Sequence, residues 1–158
     1  TNEGLLHEND VRRLAGLGTF IRTAFADNIA PEAVITADSE SEGCGICNTA
    51  EDSYDSFYMP ASDKAVIGLK FGKPEQLGYL VIKENIRMSQ RVESFSVDIG
   101  ENGNYKEIYS GTVIGYKRIV PLGNIAADCL RIRITDSRTA PALSFIGVYR
   151  SGSHTIRN

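Results

Sequence analysis

From Phe25 onward the chain alternates short runs of β-branched and aromatic residues with clusters of Gly, Pro, Asn, Asp and Ser. Runs of that length and composition, closed at both ends by turn formers, predict strands over 33–37, 64–71, 78–84, 92–99, 105–110, 116–120, 129–135 and 143–150. Within them Ile67, Leu69 and Phe71 alternate with other residues, as do Phe95, Val97 and Ile99, while Leu130, Ile132 and Ile134 alternate with Arg131 and Arg133. A period of two puts one face of each strand in a core and the other in water. The expected fold is all-β, an antiparallel jelly-roll β-sandwich of about eight strands. The stretch Glu101-Asn102-Gly103-Asn104 predicts a hairpin turn, because Asn and Gly accept the positive φ that such turns need.

The first residues follow a different period. After His7, the positions Val11, Leu14, Leu17 and Ile21 recur every third or fourth residue, which predicts one N-terminal helix of about four turns. Asn9 or Asp10 is placed to cap its start, and Gly18 weakens its end. A single helix before an all-strand chain suggests a division into 1–23, the tail of an upstream domain or a linker, and 24–158, the sandwich. The alternative is a helix that packs on the sandwich it precedes.

Strand order makes a prediction about loops. If each strand crosses the sandwich once, connections alternate between its ends. Loops 43–63, 85–91, 111–115 and 136–142 then share one end, and 72–77, 100–104 and 121–128 the other. The first end gathers Asp52, Asp55, Arg87, Gln90, Arg91, Asp136 and Arg138, with Lys117 and Arg118 just beyond it. Loops carried by a rigid sandwich are the usual seat of binding, so a site is expected there.

Composition narrows the partners. The chain has 158 residues, enough for one domain with its own core, with 42% hydrophobic and 23% charged residues. A net charge of −3 with interspersed signs leaves no basic stripe for a phosphate backbone, and no nucleic-acid partner is expected. No apolar run approaches the roughly 18 to 20 residues that span a bilayer, so no membrane partner is expected either.

Several stretches in the second half carry a family resemblance. They are Gln90-Arg91-Val92 with Ser94-Phe95, then Gly111-Thr112 through Gly115-Tyr116-Lys117-Arg118, then Asp136-Ser137-Arg138, and Leu143-Ser144 with Gly147-Val148-Tyr149. Together the run from Lys64 to Tyr149 resembles the C-terminal discoidin-type domain (factor V/VIII type C, galactose-binding-like) of α-L-fucosidases in glycoside hydrolase family 29. Asn2-Glu3-Gly4-Leu5-Leu6 and Asn9-Asp10-Val11-Arg12-Arg13-Leu14 resemble the end of that family's catalytic barrel. The resemblance implies a parent enzyme, periplasmic or extracellular, that removes fucose from glycans, with this chain as a non-catalytic accessory. Retaining glycosidases need two carboxyl groups about 5 Å apart, and the family carries them on its barrel. Glu84 and Glu93 read instead as solvated carboxylates at a sheet edge.

Two roles follow for such a domain. As a carbohydrate-binding module it would hold fucosylated or galactosylated glycans with hydrogen-bonding side chains beside an aromatic face. Arg87, Arg91, Arg118 and Arg138 offer donors, Asn85 and Asp136 acceptors, and Tyr54, Phe57, Tyr58 or Tyr116 a flat surface. Arg91 and Arg138 match the domain pattern and equally suit struts between loops, whereas Arg87 and Tyr54 are freer to face a ligand. As a brace it would instead support the barrel or lend a loop to its active-site rim, with no sugar of its own.

The stretch from Asp52 to Tyr58 resembles a discoidin-fold loop that wraps structural calcium, with Asp52 and Asp55 as side-chain ligands. The family pattern has Glu after Ser144, where this chain has Phe145, which removes one carboxylate. Cys44 and Cys47 have C-x-x-C spacing but no second pair to complete a zinc site; Cys129 lies in a strand, and His7 and His154 stand at the ends. The pair reads as a loop disulfide or two free thiols, and Cys129 as a buried apolar residue.

Overall fold

A computed structural model describes residues 6–152. Asn2 to Leu5 and His154 lie outside the described residues. The elements are helix α1 (Glu8–Ala24) and strands β1 (Val34–Ala37), β2 (Ala65–Glu84), β3 (Val92–Glu101), β4 (Asn104–Gly111), β5 (Arg118–Ser137) and β6 (Leu143–Arg150), all strand pairings being antiparallel.

The eight predicted stretches are strand over most of their length, except that Tyr116 and Lys117 fall in the turn before β5, and two junctions expected as loops are not breaks. Residues 72–77 and 121–128 continue β2 and β5, which stay paired through them with a register shift between Lys70 and Glu75. The extra residues there bend both strands together, as bulges do, so each strand serves two sheets. One sheet runs β1, first half of β2, second half of β5, β3, β4. The other runs β6, second half of β2, first half of β5. Gly72, Pro74 and Gly78 resemble a turn in sequence, yet here they mark a corner.

The alternating residues meet as rows. Ile67, Ile132 and Val97 pair across three strands of the first sheet, and Leu69, Leu130 and Ile99 form the next row. Val120, Leu80 and Val148 answer from the second sheet, and every one of these side chains is buried. Deleting a buried Ile or Leu side chain from such a core costs roughly 2–5 kcal/mol. The 101–104 hairpin forms as expected: Asn102 and Gly103 both have positive φ, 52° and 80°, between the paired Glu101 and Asn104.

The helix starts two to three residues sooner than its predicted cap. The His7 imidazole, not Asn9 or Asp10, accepts the free N–H of Asn9 at 3.2 Å. Gly18 does not end it, and Ala24 is its buried residue. Phe20 touches the sandwich edge-on at Tyr79, while Val11, Leu14, Leu17 and Ile21 stay about half exposed. The helix thus does not bury its apolar stripe on the sandwich.

Candidate functional site

The four loops assigned to one end meet there, and one side chain joins three of their strands and turns. In the second half of β2, Leu80, Ile82 and Glu84 share the inward face, so Glu84 enters the top of the core. It is fully buried, not a solvated edge group as expected. One carboxylate oxygen accepts the N–H groups of Arg91 (2.7 Å) and Val92 (3.0 Å), and the other that of Gly115 (2.7 Å). The side chain satisfies donors that no ladder reaches. Asn85, also buried, fixes the neighbouring loop: its amide donates to the Tyr54 carbonyl at 3.0 Å and its carbonyl accepts the N–H of Arg87.

The residues on the other face of the same strand lie beneath the exposed part of this end. Tyr79, Val81 and Lys83 lie opposite Tyr149, Gly147 and Phe145 of β6. The Lys83 ammonium donates to Asp52 at 2.6 Å and lies 5.2 Å from the Tyr116 ring and 6.0 Å from that of Phe145. Burial disfavours its charge, but the Asp52 hydrogen bond and the nearby rings outweigh that and hold Lys83 above the ordinary lysine range. Beside it the Arg87 guanidinium covers the Tyr54 ring at 5.2 Å and pairs with Asp55 at 3.0 Å. Tyr116 is 59% exposed and the Asp52 side chain 49%, so a flat ring and a carboxylate oxygen face solvent together. Such a surface offers a face for C–H groups and polar atoms for hydroxyls.

The remaining predicted residues go elsewhere. Arg91 is a strut, donating to the carbonyls of Met88 (2.9 Å) and Ala140 (2.7 Å). Arg118 occupies the third place of the inward row Ile146, Ile82, Arg118, so its guanidinium reaches into the sandwich over the Phe95 ring at 5.8 Å, with Nε buried and unpartnered. Arg138 pairs with Glu93 at 2.8 Å, and Asp136, exposed, lies on the strand end paired with Ser94. Phe57 turns its carbonyl to the Asn48 amide, and Tyr58 is buried with its hydroxyl on the Ser39 carbonyl at 2.9 Å. Burial, then the charges of Asp38 and Glu40, pushes that hydroxyl far above its usual range. Cys44 and Cys47 are free thiols, and Cys129 is buried in β5.

The donor set around Asp52 and Asp55 does not fit a calcium ion. Each carboxylate already faces a cation, Lys83 or Arg87, the Tyr54 carbonyl accepts from Asn85, and hard dications take six or more oxygens. Among the described residues no cluster of three His, Cys, Asp or Glu side chains is arranged for a metal.

Alpha-L-fucosidase 1 of Arabidopsis thaliana is 27% identical over 157 residues, covering 94% of this chain and 31% of that protein. The curated relatives are α-L-fucosidases. The chain spans about a third of the length of those it matches. No family model matches it. Among solved structures, a GH29 fucosidase of Ruminococcus gnavus in complex with fucose has a TM-score of 0.83 at 22% identity, over 97% of this chain and 32% of that one. Chitosan-binding module 1 from the chitosanase/glucanase of Paenibacillus sp. IK-5 has a TM-score of 0.68 at 16% identity, over 77% of this chain and 98% of the module. At those identities the two structures establish the fold: a part of fucosidases, and a whole module elsewhere.

The α-L-fucosidase resemblance rests on residues that mostly hold the loops together, and two residues that organise the candidate site were missed by it. Lys83 and Glu84 sit side by side at the end of an apolar strand. Their signal was the alternation itself, which sends Glu84 inward after Leu80 and Ile82 and leaves Lys83 outward after Tyr79 and Val81.

Proposed function

We propose that this chain is a non-catalytic accessory domain of an α-L-fucosidase, the sandwich of 24–158 following a helical connection from a catalytic barrel, and that it binds fucosylated or galactosylated glycan at the Lys83 end. The observation that carries this reading is the exposed Tyr116 ring set against the Lys83–Asp52 pair, with Tyr54 and Arg87 alongside. A pyranose lays its C–H face on Tyr116 and directs vicinal hydroxyls to Asp52 and the Lys83 ammonium, while Arg87 and Asp55 close the rim. Holding glycan near the barrel raises its local concentration without touching the chemistry. The fucosidase relatives supply the context, and the chitosan-binding module shows that a domain of this shape elsewhere carries a sugar site.

Calorimetric titration with a fucose-terminated oligosaccharide tests it. The expected result is roughly millimolar affinity, lost on Tyr116→Ala and on Asp52→Asn with the melting temperature kept. Heat of binding unchanged in both variants overturns it.

A second role is favoured by a separate observation, the exposed stripe of Val11, Leu14, Leu17 and Ile21 on α1. A helix of this pattern is stable when its apolar face is covered. In this reading α1 braces the barrel. Leu14→Ser with Leu17→Ser in the parent enzyme then lowers its melting temperature; an unchanged parent refutes the brace.

A further inference from the structure

The candidate site is one end of a longer surface. Along the outer face of the three-stranded sheet, Phe145 and Tyr149 of β6 flank Gly147, and a Cβ at Gly147 would fall 2.9 Å from the first ring and 3.0 Å from the second. Only glycine lets those two rings approach. Tyr149 meets Phe25 at 5.2 Å between centroids, Phe25 meets Tyr79 at 5.2 Å, and Tyr79 meets Phe20 of α1 at 6.4 Å. The rings therefore run in contact from Tyr149 to the helix, while Phe145, only 8% exposed, lies beneath Lys83 between that series and Tyr116. Four residues of strand separate Lys83 from Tyr79, about 13 Å at a strand's rise, and Phe20 lies one ring farther on. That length exceeds one sugar ring and suits several.

At the far end the track opens into a recess of about 310 Å³ between α1 and the sheet, lined by Phe20, Thr23, Tyr79, Asn124, Arg150 and Ser151. Like the first end it sets aromatic faces beside polar groups, here the hydroxyls of Thr23 and Ser151 and the amide of Asn124. Arg150 is already matched by Asp27, by Glu75 at 3.0 Å and by Glu32 at 3.5 Å. Among the described residues the recess thus offers no free cation to an anionic ligand, and a neutral hydroxylated one fits their charge.

We propose that this recess is a second sugar subsite, and that the rings from Tyr149 to Phe20 guide an extended neutral oligosaccharide, seated on Tyr116 at its other end, into the recess. The inference rests on the glycan-binding reading above and adds to it a preference for chain length. Subsites engaged by one chain combine their affinities, because the second contact is intramolecular.

The test is calorimetry of the 158-residue chain with methyl α-L-fucoside and with a fucose-terminated linear hexasaccharide, repeated for Phe20→Ala and Asn124→Gly. Both substitutions suit their positions: Ala is the best helix former, and Asn124 has φ 59°, a conformation glycine adopts freely. The expected result is that the hexasaccharide binds at least about tenfold tighter than the monosaccharide, with the gain removed by each variant and the monosaccharide affinity unchanged. Equal affinity for both sugars overturns the second subsite while leaving the first intact. A length gain that survives both variants overturns it as well, since the chain then extends elsewhere. Binding of neither sugar removes both readings.

Discussion

Replacing Glu84 by Gln changes one oxygen into an NH2 group and keeps the volume. The better acceptor geometry keeps the amide oxygen on the paired N–H groups of Arg91 and Val92, and turns the new NH2 toward the N–H of Gly115. Donor then faces donor in a fully buried place. A hydrogen bond to a charged group is worth about 1.5–3 kcal/mol, and a stranded buried N–H costs about 1–3 kcal/mol. The two overlap, because both describe the loss of one bond, and the expected destabilisation is about 1.5–3 kcal/mol. For a domain of this size each kcal/mol lowers Tm by about 2–4 °C, so the melt should fall by roughly 3–12 °C. Urea unfolding followed by circular dichroism measures the free energy, and the Gly115 amide resonance reports the site directly. An E84Q protein within about 0.5 kcal/mol of the parent, or an unmoved Gly115 amide, refutes the assignment of Glu84 as the group that ties the binding loops to the core.

Other outcomes follow from the same geometry. Asp98 is buried; burial disfavours its charge, but hydrogen bonds from Arg133 and Arg131 prevail and hold its carboxyl below the ordinary aspartate range. Its contribution is therefore complete above about pH 4 and lost as the pH falls through the lowered value. Asp98→Asn should cost about 2 kcal/mol at pH 7, discounted for the partly exposed arginines, and the gap between variant and parent should close below pH 4; a gap constant to pH 2 contradicts this. Ile132→Ala, in the middle of a buried cross-strand row, should cost about 2–5 kcal/mol in urea unfolding, and a cost under 1 kcal/mol would place the row outside the core. Millimolar calcium should leave Tm unchanged, because Asp52 and Asp55 face Lys83 and Arg87; a rise of several degrees, reversed by chelator, refutes that fit.

The sequence pattern carried the fold where side-chain period was strict. Ile67, Ile132 and Val97 announce their shared row because each alternates with residues of another kind. The corners at 72–77 and 121–128 were not legible, since Gly and Pro mark a bulge and a turn alike, and only the partner strand decides between them. At the candidate site, counting crossings was enough to bring together Tyr54, Asn85, Arg87 and Tyr116. It did not tell which side chains turn outward. Arg118 is donor-rich in sequence, yet its register beside Ile82 sends it into the core over Phe95. Lys83 escaped notice for the converse reason: it stands at the end of an apolar strand, and its link to Asp52 spans 31 residues.

The central claim is that glycan is held at the Lys83 end, and chemical-shift mapping tests it most directly. With a fucose-terminated oligosaccharide added to millimolar concentration, the account predicts shifts at Asp52, Tyr54, Lys83, Arg87 and Tyr116, with the Asn102–Gly103 hairpin at the opposite end unmoved. Shifts centred on that hairpin, or none at saturating sugar, would contradict it.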